Sequence, residues 1–426
     1  MEFDLMKQGK AETGNTLLVI GGIQGDEPGG FNAAALLATR YRIDKGTLWV
    51  VPNLNFVSII KRSRGVHGDL NRKFDFLPAS DPEYHLVKEI KAIITDPQVD
   101  LVLNLHDGSG FYRTRYVDRQ HNPDRWGQSC IIDQSNLPGV PFGALEDIGQ
   151  KVVQYANQQL RDPSHLFNLK NTRTRSDDPE MRQSLTYFAI ENNKPAFGIE
   201  ASKNFRTNVR VYYHLLFLEA YMRELGISFH RDFELSPQGV EAALHKDIQV
   251  ALNDHKIQLD LTDIRERLNY IPFKKGAAVE FASKNPLVAV LPYRNKYQIH
   301  YGNNRMGFLH PQYFDNDDSL DSILVTVDGM PRAFEIGSIV PVAESFLVNA
   351  PAGYRVNIIG FTQKGVANEK DLLVRRQDIV SRYSIDKGGQ IFRVEVYRDD
   401  KFAGMLLIDF RAGQTAKLLV MTQAEK

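Results

Sequence analysis

"TLLVIGGIQGDEPGGFNAAALLATRY", residues 16–41, decides how the first half of the chain folds. An apolar run of buried-strand type leads into a glycine-rich turn. Apolar residues at helical spacing follow. A strand passing through a tight corner into a helix is the opening of an α/β layer architecture. The glycines explain the corner, but the turn also carries Gln24, Asp26 and Glu27 at its tip. Asp26 and Glu27 suit the start of a helix, where acids face the positive end of the dipole. They also suit a site.

Working outward, the same alternation continues to about residue 225. "TLWVVPNLN", "VDLVLNLHDG" and "PAFGIEAS" read as strands. "DPEYHLVKEIKAIITD", "GALEDIGQKVVQYANQQL", "SLTYFAIENN" and "TNVRVYYHLLFLEAYMRELG" read as helices, the last closed by Gly226. Alternation of this kind predicts a mostly parallel, mixed sheet with helices on both faces. Past residue 228 the pattern turns to short strands, and from about 320 it is wholly β, with "DDK" and "GG" turns. The expected organisation is an α/β domain over residues 1–227, a small β-rich domain over 228–320 and an immunoglobulin-like β-sandwich over 321–426.

Composition excludes several classes. Of 426 residues, 42% are hydrophobic and 24% charged, and the 52 basic residues balance the 52 acidic ones. Such a chain has no general bias toward nucleic acid or an anionic membrane. No apolar stretch reaches the ~20 residues of a membrane span, so no membrane insertion is expected. The single cysteine, Cys130, excludes an internal disulfide and a thiolate metal cluster.

Four polar clusters fall at the ends of predicted strands in the first domain: Gln24 with Glu27; "KRSRGVHGDLNRKF" with Arg62, Arg64, Asn71 and Arg72; "LNLHDGSG" with His106; and "FGIEASKN" with Glu200. Open α/β sheets bind ligands beyond the carboxyl ends of their strands, so the four positions agree with one another. Singly each has an ordinary structural reading. Their order, Q-x-x-E, then "DLNRKF", then "NLHDG", then "GIE", resembles the zinc carboxypeptidase family over residues 15–225. Within it the chain is similar to the bacterial D,L-carboxypeptidases that trim peptidoglycan and determine cell shape, which also carry glutamine in the first ligand position and two β domains after the catalytic one.

The resemblance implies one zinc ion held by Gln24, Glu27 and His106, with a fourth position open for water. It implies Glu200 as general base and Arg64 as stabiliser of the oxyanion. Asn71 and Arg72 would bind the substrate's terminal carboxylate, for which a planar guanidinium is suited. The implied substrate is a muropeptide losing its C-terminal diaminopimelate at the γ-D-glutamyl bond, in the periplasm. No signal peptide stands at the start of "MEFDLMKQGK". The β domains would offer surfaces to other cell-shape proteins. Two departures stand out. Gln24 is a weaker, neutral donor than the family's usual histidine, and the family's substrate-covering tyrosine has no counterpart near "TRTRSDDPEMRQ". Tyr187 reads as core, Asp69 as a partner within its loop, and Arg173 and Arg175 as solvated or anion-facing. Two alternatives share these motifs: an aspartoacylase-like amidase acting on small N-acyl amino acids, and a catalytically silent peptidoglycan-binding protein.

Overall fold

The computed structural model describes residues 2–10, 14–160 and 162–411. The chain divides into two compact units. Unit 1 runs to Lys246 and includes Gly302–Asn304; unit 2 comprises Asp247–Tyr301 and the chain from Arg305 onward. The end of the expected last domain, residues 412–426, lies outside the described residues.

In unit 1 the strands are β1 (Met6–Gly9), β2 (Thr16–Ile20), β3 (Tyr41–Lys45), β4 (Thr47–Val51), β5 (Leu101–Gly108), β6 (Phe111–Tyr112), β7 (His121–Asn122), β8 (Ser129–Ile132), β9 (Asn168–Asn171), β10 (Ala196–Ser202) and β11 (Ser228–Arg231). The helices are α1 (Pro28–Arg40), α2 (Phe56–Lys61), α3 (Tyr84–Ile94), α4 (Leu145–Gln158), α5 (Thr174–Asp177), α6 (Leu185–Glu191), α7 (Thr207–Glu224) and α8 (Pro237–Leu244). Seven strands form one sheet in the order β1-β4-β2-β5-β10-β8-β9. Its centre, β4-β2-β5-β10, is parallel; β1 runs antiparallel to β4 and β8 antiparallel to β10. β2, β4, β5 and β10 are wholly buried. That is why they read as continuous apolar runs rather than as alternating ones. From β2 the chain crosses to β4 on one side and later returns to β5 on the other. The strand order therefore reverses between β2 and β5, and the carboxyl edge there is where such sheets bind ligands.

The first compact unit runs on to residue 246, past the helix end near 228. Gly226 ends α7, but the chain then pairs β11 with β3 and buries Val240, Ala243 and Leu244 of α8 in the same core as α1 and α7. A helix stop is a local event; which core the next segment joins is not.

Unit 2 contains a three-stranded sheet, a four-stranded sheet that includes Arg267–Lys274, and a final pair of four-stranded sheets. The final pair share one apolar core, with Val325, Phe346, Val356, Phe392, Val394 and Leu406 among its buried residues. Two antiparallel-rich sheets around one core make a sandwich, as the alternating pattern after residue 320 predicts.

Candidate active site

The turn between β2 and α1 is glycine-rich for reasons of space. A β-carbon on Gly25 would lie 2.1 Å from the Ser58 backbone, and one on Gly29 would lie 2.2 Å from Asp107 Oδ1. The second contact bears on function. Glu27 is the N-cap residue of α1, yet its side chain makes no capping bond. The Asp107 carboxylate accepts from the Gly29 N–H instead, at 2.7 Å. A neighbouring strand thus caps the helix and frees the Glu27 carboxylate, which turns toward β5.

There it meets the other two donors. His106 Nδ1 lies 3.0 Å from Glu27 Oε2 and 3.2 Å from Gln24 Oε1. The Asp107 N–H holds the same Glu27 oxygen at 3.0 Å. Gln24 Nε2 donates to Asp69 Oδ1 at 2.8 Å. Asp69 is half-buried beside the Gln24 amide and Arg64, which together hold its carboxyl below the usual range against the effect of that burial. An ionised carboxylate only accepts, so the amide must turn its NH₂ to Asp69 and its oxygen to His106. Asp69 therefore does more than partner its own loop: it orients Gln24 and also accepts from Arg64 Nε at 2.9 Å.

Glu200 stands beside His106 because β10 and β5 are parallel and these two residues are register partners. Burial pushes its carboxyl up to about 8, against the pull of the neighbouring imidazole. Its buried Oε2 has no hydrogen-bond partner. For His106 burial acts the other way, disfavouring the charged, protonated ring, but the Glu27 hydrogen bond and the Glu27, Glu200 and Asp69 carboxylates raise its pKa overall.

These residues line one cavity of about 400 Å³, together with Arg64, Asn71 and Arg72. All seven residues expected from the sequence come together. The Asn71 side-chain oxygen accepts from the Leu185 N–H at 3.0 Å, and Arg72 Nη1 donates to the Asn71 carbonyl at 3.1 Å, so the pair is braced. Arg64 Nη1 lies 3.5 Å from Glu27 Oε1. Arg62, Arg173 and Arg175 are not in the lining, and Tyr187 is buried in α6 as expected.

Sequence reading missed Lys203, Trp126, Thr186, Asp178 and Glu180, which also line the cavity. Lys203 Nζ lies 3.2 Å from Glu27 Oε1. Only Lys203 carries a signal, its position three residues after Glu200. The others come from the loop before β8, the stretch after α5 and the start of α6, and nothing in their spacing ties them to the motifs.

The donor set fits a metal ion. Among the described residues no three His, Cys, Asp or Glu side chains form a metal cluster, because here the third donor is an amide oxygen. Tetrahedral ligands about 2.0–2.1 Å from zinc are separated by roughly 3.3 Å, close to the spacings around His106 Nδ1. Donors of three kinds converge on one point, next to a buried Glu200 oxygen that accepts no hydrogen bond, an arrangement that a cation would complete.

An α/β sheet that gathers an amide, a carboxylate and an imidazole at its carboxyl edge, with a buried glutamate and arginines around them, defines a metallo-carboxypeptidase. Comparison with known families narrows this. Residues 5–245 match the catalytic domain of the carboxypeptidases controlling helical cell shape, and residues 316–411 match a C-terminal domain of metallo-carboxypeptidases; the chain belongs to this family. It is similar to the solved structures of the cell shape determinant protein Csd4 of Helicobacter pylori. The tripeptide-bound form is 37% identical with a TM-score of 0.87, over 96% of this chain and 100% of that one. The product-bound form is 38% identical with a TM-score of 0.87 over the same shares. The form bound to mDAP, described as a D,L-carboxypeptidase, is 37% identical with a TM-score of 0.87, over 95% of this chain and 99% of that one. No curated protein matches. No helix among the described residues is long and apolar enough to cross a membrane.

The Gln24–Asp69 contact gives a direct expectation. Asp69→Ala should free the Gln24 amide to rotate and turn its NH₂, in place of its oxygen, toward the point where the three donors converge. Outer-shell partners of this kind are worth roughly 10–100-fold in metal affinity. Gln24→Ala should weaken binding similarly, and Gln24→His should strengthen it, since imidazole is the better donor. Calorimetric zinc titration of the four proteins checks this; equal dissociation constants would remove Gln24 from the metal site.

Proposed function

We propose that this chain is a zinc D,L-carboxypeptidase that removes diaminopimelate from the end of a peptidoglycan tripeptide, cleaving its bond to the γ-carboxyl of D-glutamate. The observation that carries the reading is the convergence of Gln24 Oε1 and Glu27 Oε2 on His106 Nδ1, beside Glu200 and the braced Asn71–Arg72 pair. Gln24, Glu27 and His106 would hold the ion. When bound, zinc acidifies a water and polarises the scissile carbonyl.

The chain's own residues do the rest. Arg72 and Asn71 hold the free terminal carboxylate and fix the scissile bond over the site. Glu200 accepts the proton from the attacking water and passes it to the departing amine. The family tyrosine has no counterpart here, which leaves both transfers to this one group. A carboxyl whose burial raises its affinity for protons suits the second transfer; a cation beside it lowers that affinity and suits the first. Arg64, anchored by Asp69 and next to Glu27, stabilises the developing oxyanion. Asp178 and Glu180 at the cavity wall match the free ammonium of a diamino acid better than the acyl group of an N-acyl amino acid. That favours a peptide substrate over the amidase alternative.

The enzyme would act in the periplasm, where its substrate lies, and the β-rich unit would contact other cell-shape proteins. The deciding experiment is mass spectrometry of muropeptides incubated with the protein and zinc. Tripeptide should convert to dipeptide plus free diaminopimelate. Intact tripeptide, with hydrolysis of N-acetylaspartate instead, would overturn the reading.

A further inference from the structure

A second charged cavity lies wholly within unit 2, on the outer face of a sandwich sheet. In the paired strands Tyr354–Ile358 and Ile391–Arg398, alternate residues face opposite ways. Val356, Ile358, Phe392, Val394 and Val396 enter the apolar core. Arg355, Asn357, Arg393, Glu395 and Tyr397 line a cavity of about 400 Å³ instead, with Arg265, Arg267 and Arg382 around it. Five guanidinium groups face one carboxylate.

Glu395 is only 4% exposed and Arg393 only 7%. Glu395 Oε2 accepts from the Tyr397 hydroxyl at 2.7 Å. Its Oε1 lies 3.3 Å from Arg393 Nη1 but accepts no hydrogen bond. A buried ion pair stabilises a fold only when its geometry satisfies both partners, and apolar residues could fill this face as well. The guanidinium of Arg393 also donates to the carbonyls of Tyr270 and Asn269, each at 3.2 Å. Those carbonyls sit at an irregularity in the strand Arg267–Lys274, between Leu268 and Ile271. Tyr270 there adopts a left-handed backbone with φ +58°, unusual for an aromatic residue, and the residue is 70% exposed. A buried charge pair, an unbonded carboxylate oxygen and a strained tyrosine meet at one cavity, and strain of this kind gathers at ligand sites.

Two guanidinium groups are uncommitted. Arg265 is bonded to Ser384 and Ser381, and Arg382 to Tyr383. Arg267 and Arg355 have no side-chain hydrogen bond or ion pair among the described residues; Arg355 rests over the Tyr397 ring at 4.7 Å. We propose that this cavity binds an amino acid or short peptide rich in carboxylates. Arg267 and Arg355 take the carboxylates, and Glu395 Oε1 takes an ammonium or amide N–H. The volume suits a ligand of that size. Choosing the enzyme's own substrate and product as probes rests on the peptidase reading above; the site itself does not.

The test uses the full chain carrying Arg72→Ala, which weakens the first site, titrated calorimetrically with meso-diaminopimelate, with L-alanyl-γ-D-glutamyl-meso-diaminopimelate and with glutamate. Saturable binding of at least one probe is expected. Adding Arg355→Ala should weaken it by at least ~10-fold, and the exposed Arg267→Ala should do the same without lowering the melting temperature. In the otherwise unaltered protein, neither change should alter hydrolysis at the first site. Absence of saturable binding in the Arg72→Ala protein, or binding unchanged by both arginine substitutions, overturns the proposal, whether or not the protein hydrolyses muropeptides.

Discussion

Glu200→Gln is expected to cut tripeptide hydrolysis by at least ~10²-fold, the usual scale for a general base, while leaving the metal bound. Glutamine keeps the shape and polarity of glutamate but cannot accept a proton at this site. The residue is not among the three donors that converge at His106 Nδ1, so its loss leaves them intact. Gly108 leaves room for the Glu200 carboxyl, since a β-carbon there would lie 2.7 Å from Oε2, and the isosteric amide fits the same space. Turnover on muramyl tripeptide, together with zinc content by mass spectrometry, checks both halves. Near-normal turnover would sink the assignment, and loss of zinc along with activity would make Glu200 a structural element of the metal site.

The second large effect is expected at Arg72. Arg72→Ala should impair substrates with a free terminal carboxylate far more than amidated ones, by about 2–3 kcal/mol, or roughly 30–150-fold in kcat/KM. The effect should be specific because the arginine is braced by Asn71, and Asn71 in turn by the Leu185 backbone. Lysine should rescue only partly, since it keeps the charge but lacks the two-pronged fork. Parallel assays on free and amidated tripeptide separate these cases. Equal losses on both substrates would show that Arg72 does not hold the carboxylate.

Much of the first unit was legible in residues 16–41 and the segments like it. Buried parallel strands need continuous apolar runs, helices need apolar residues at their own period, and both patterns are local. The candidate site was legible because motif order survives in one dimension: Gln24 and Glu27, then Asn71 and Arg72, then His106, then Glu200, all of which line one cavity. Asp69 was visible, but its part in orienting Gln24 was not. That depends on which atom of an amide faces a carboxylate 45 residues away. Nor could sequence tell that Asp107 relieves Glu27 of its capping duty.

By itself, then, the sequence determined where strands and helices form, which side chains can carry the chemistry, and the family to which the chain belongs. Only the tertiary structure decided what meets what. It brought Trp126, Thr186, Asp178 and Glu180 to the first cavity, kept residues 228–246 with the first core, and placed Glu395 and Arg393 on the outer face of the sandwich sheet opposite a kinked strand. The reason is physical. Secondary structure answers to periodicity within a dozen residues, whereas a site answers to strand register and loop packing, which join residues far apart in the chain and leave no spacing between them to read.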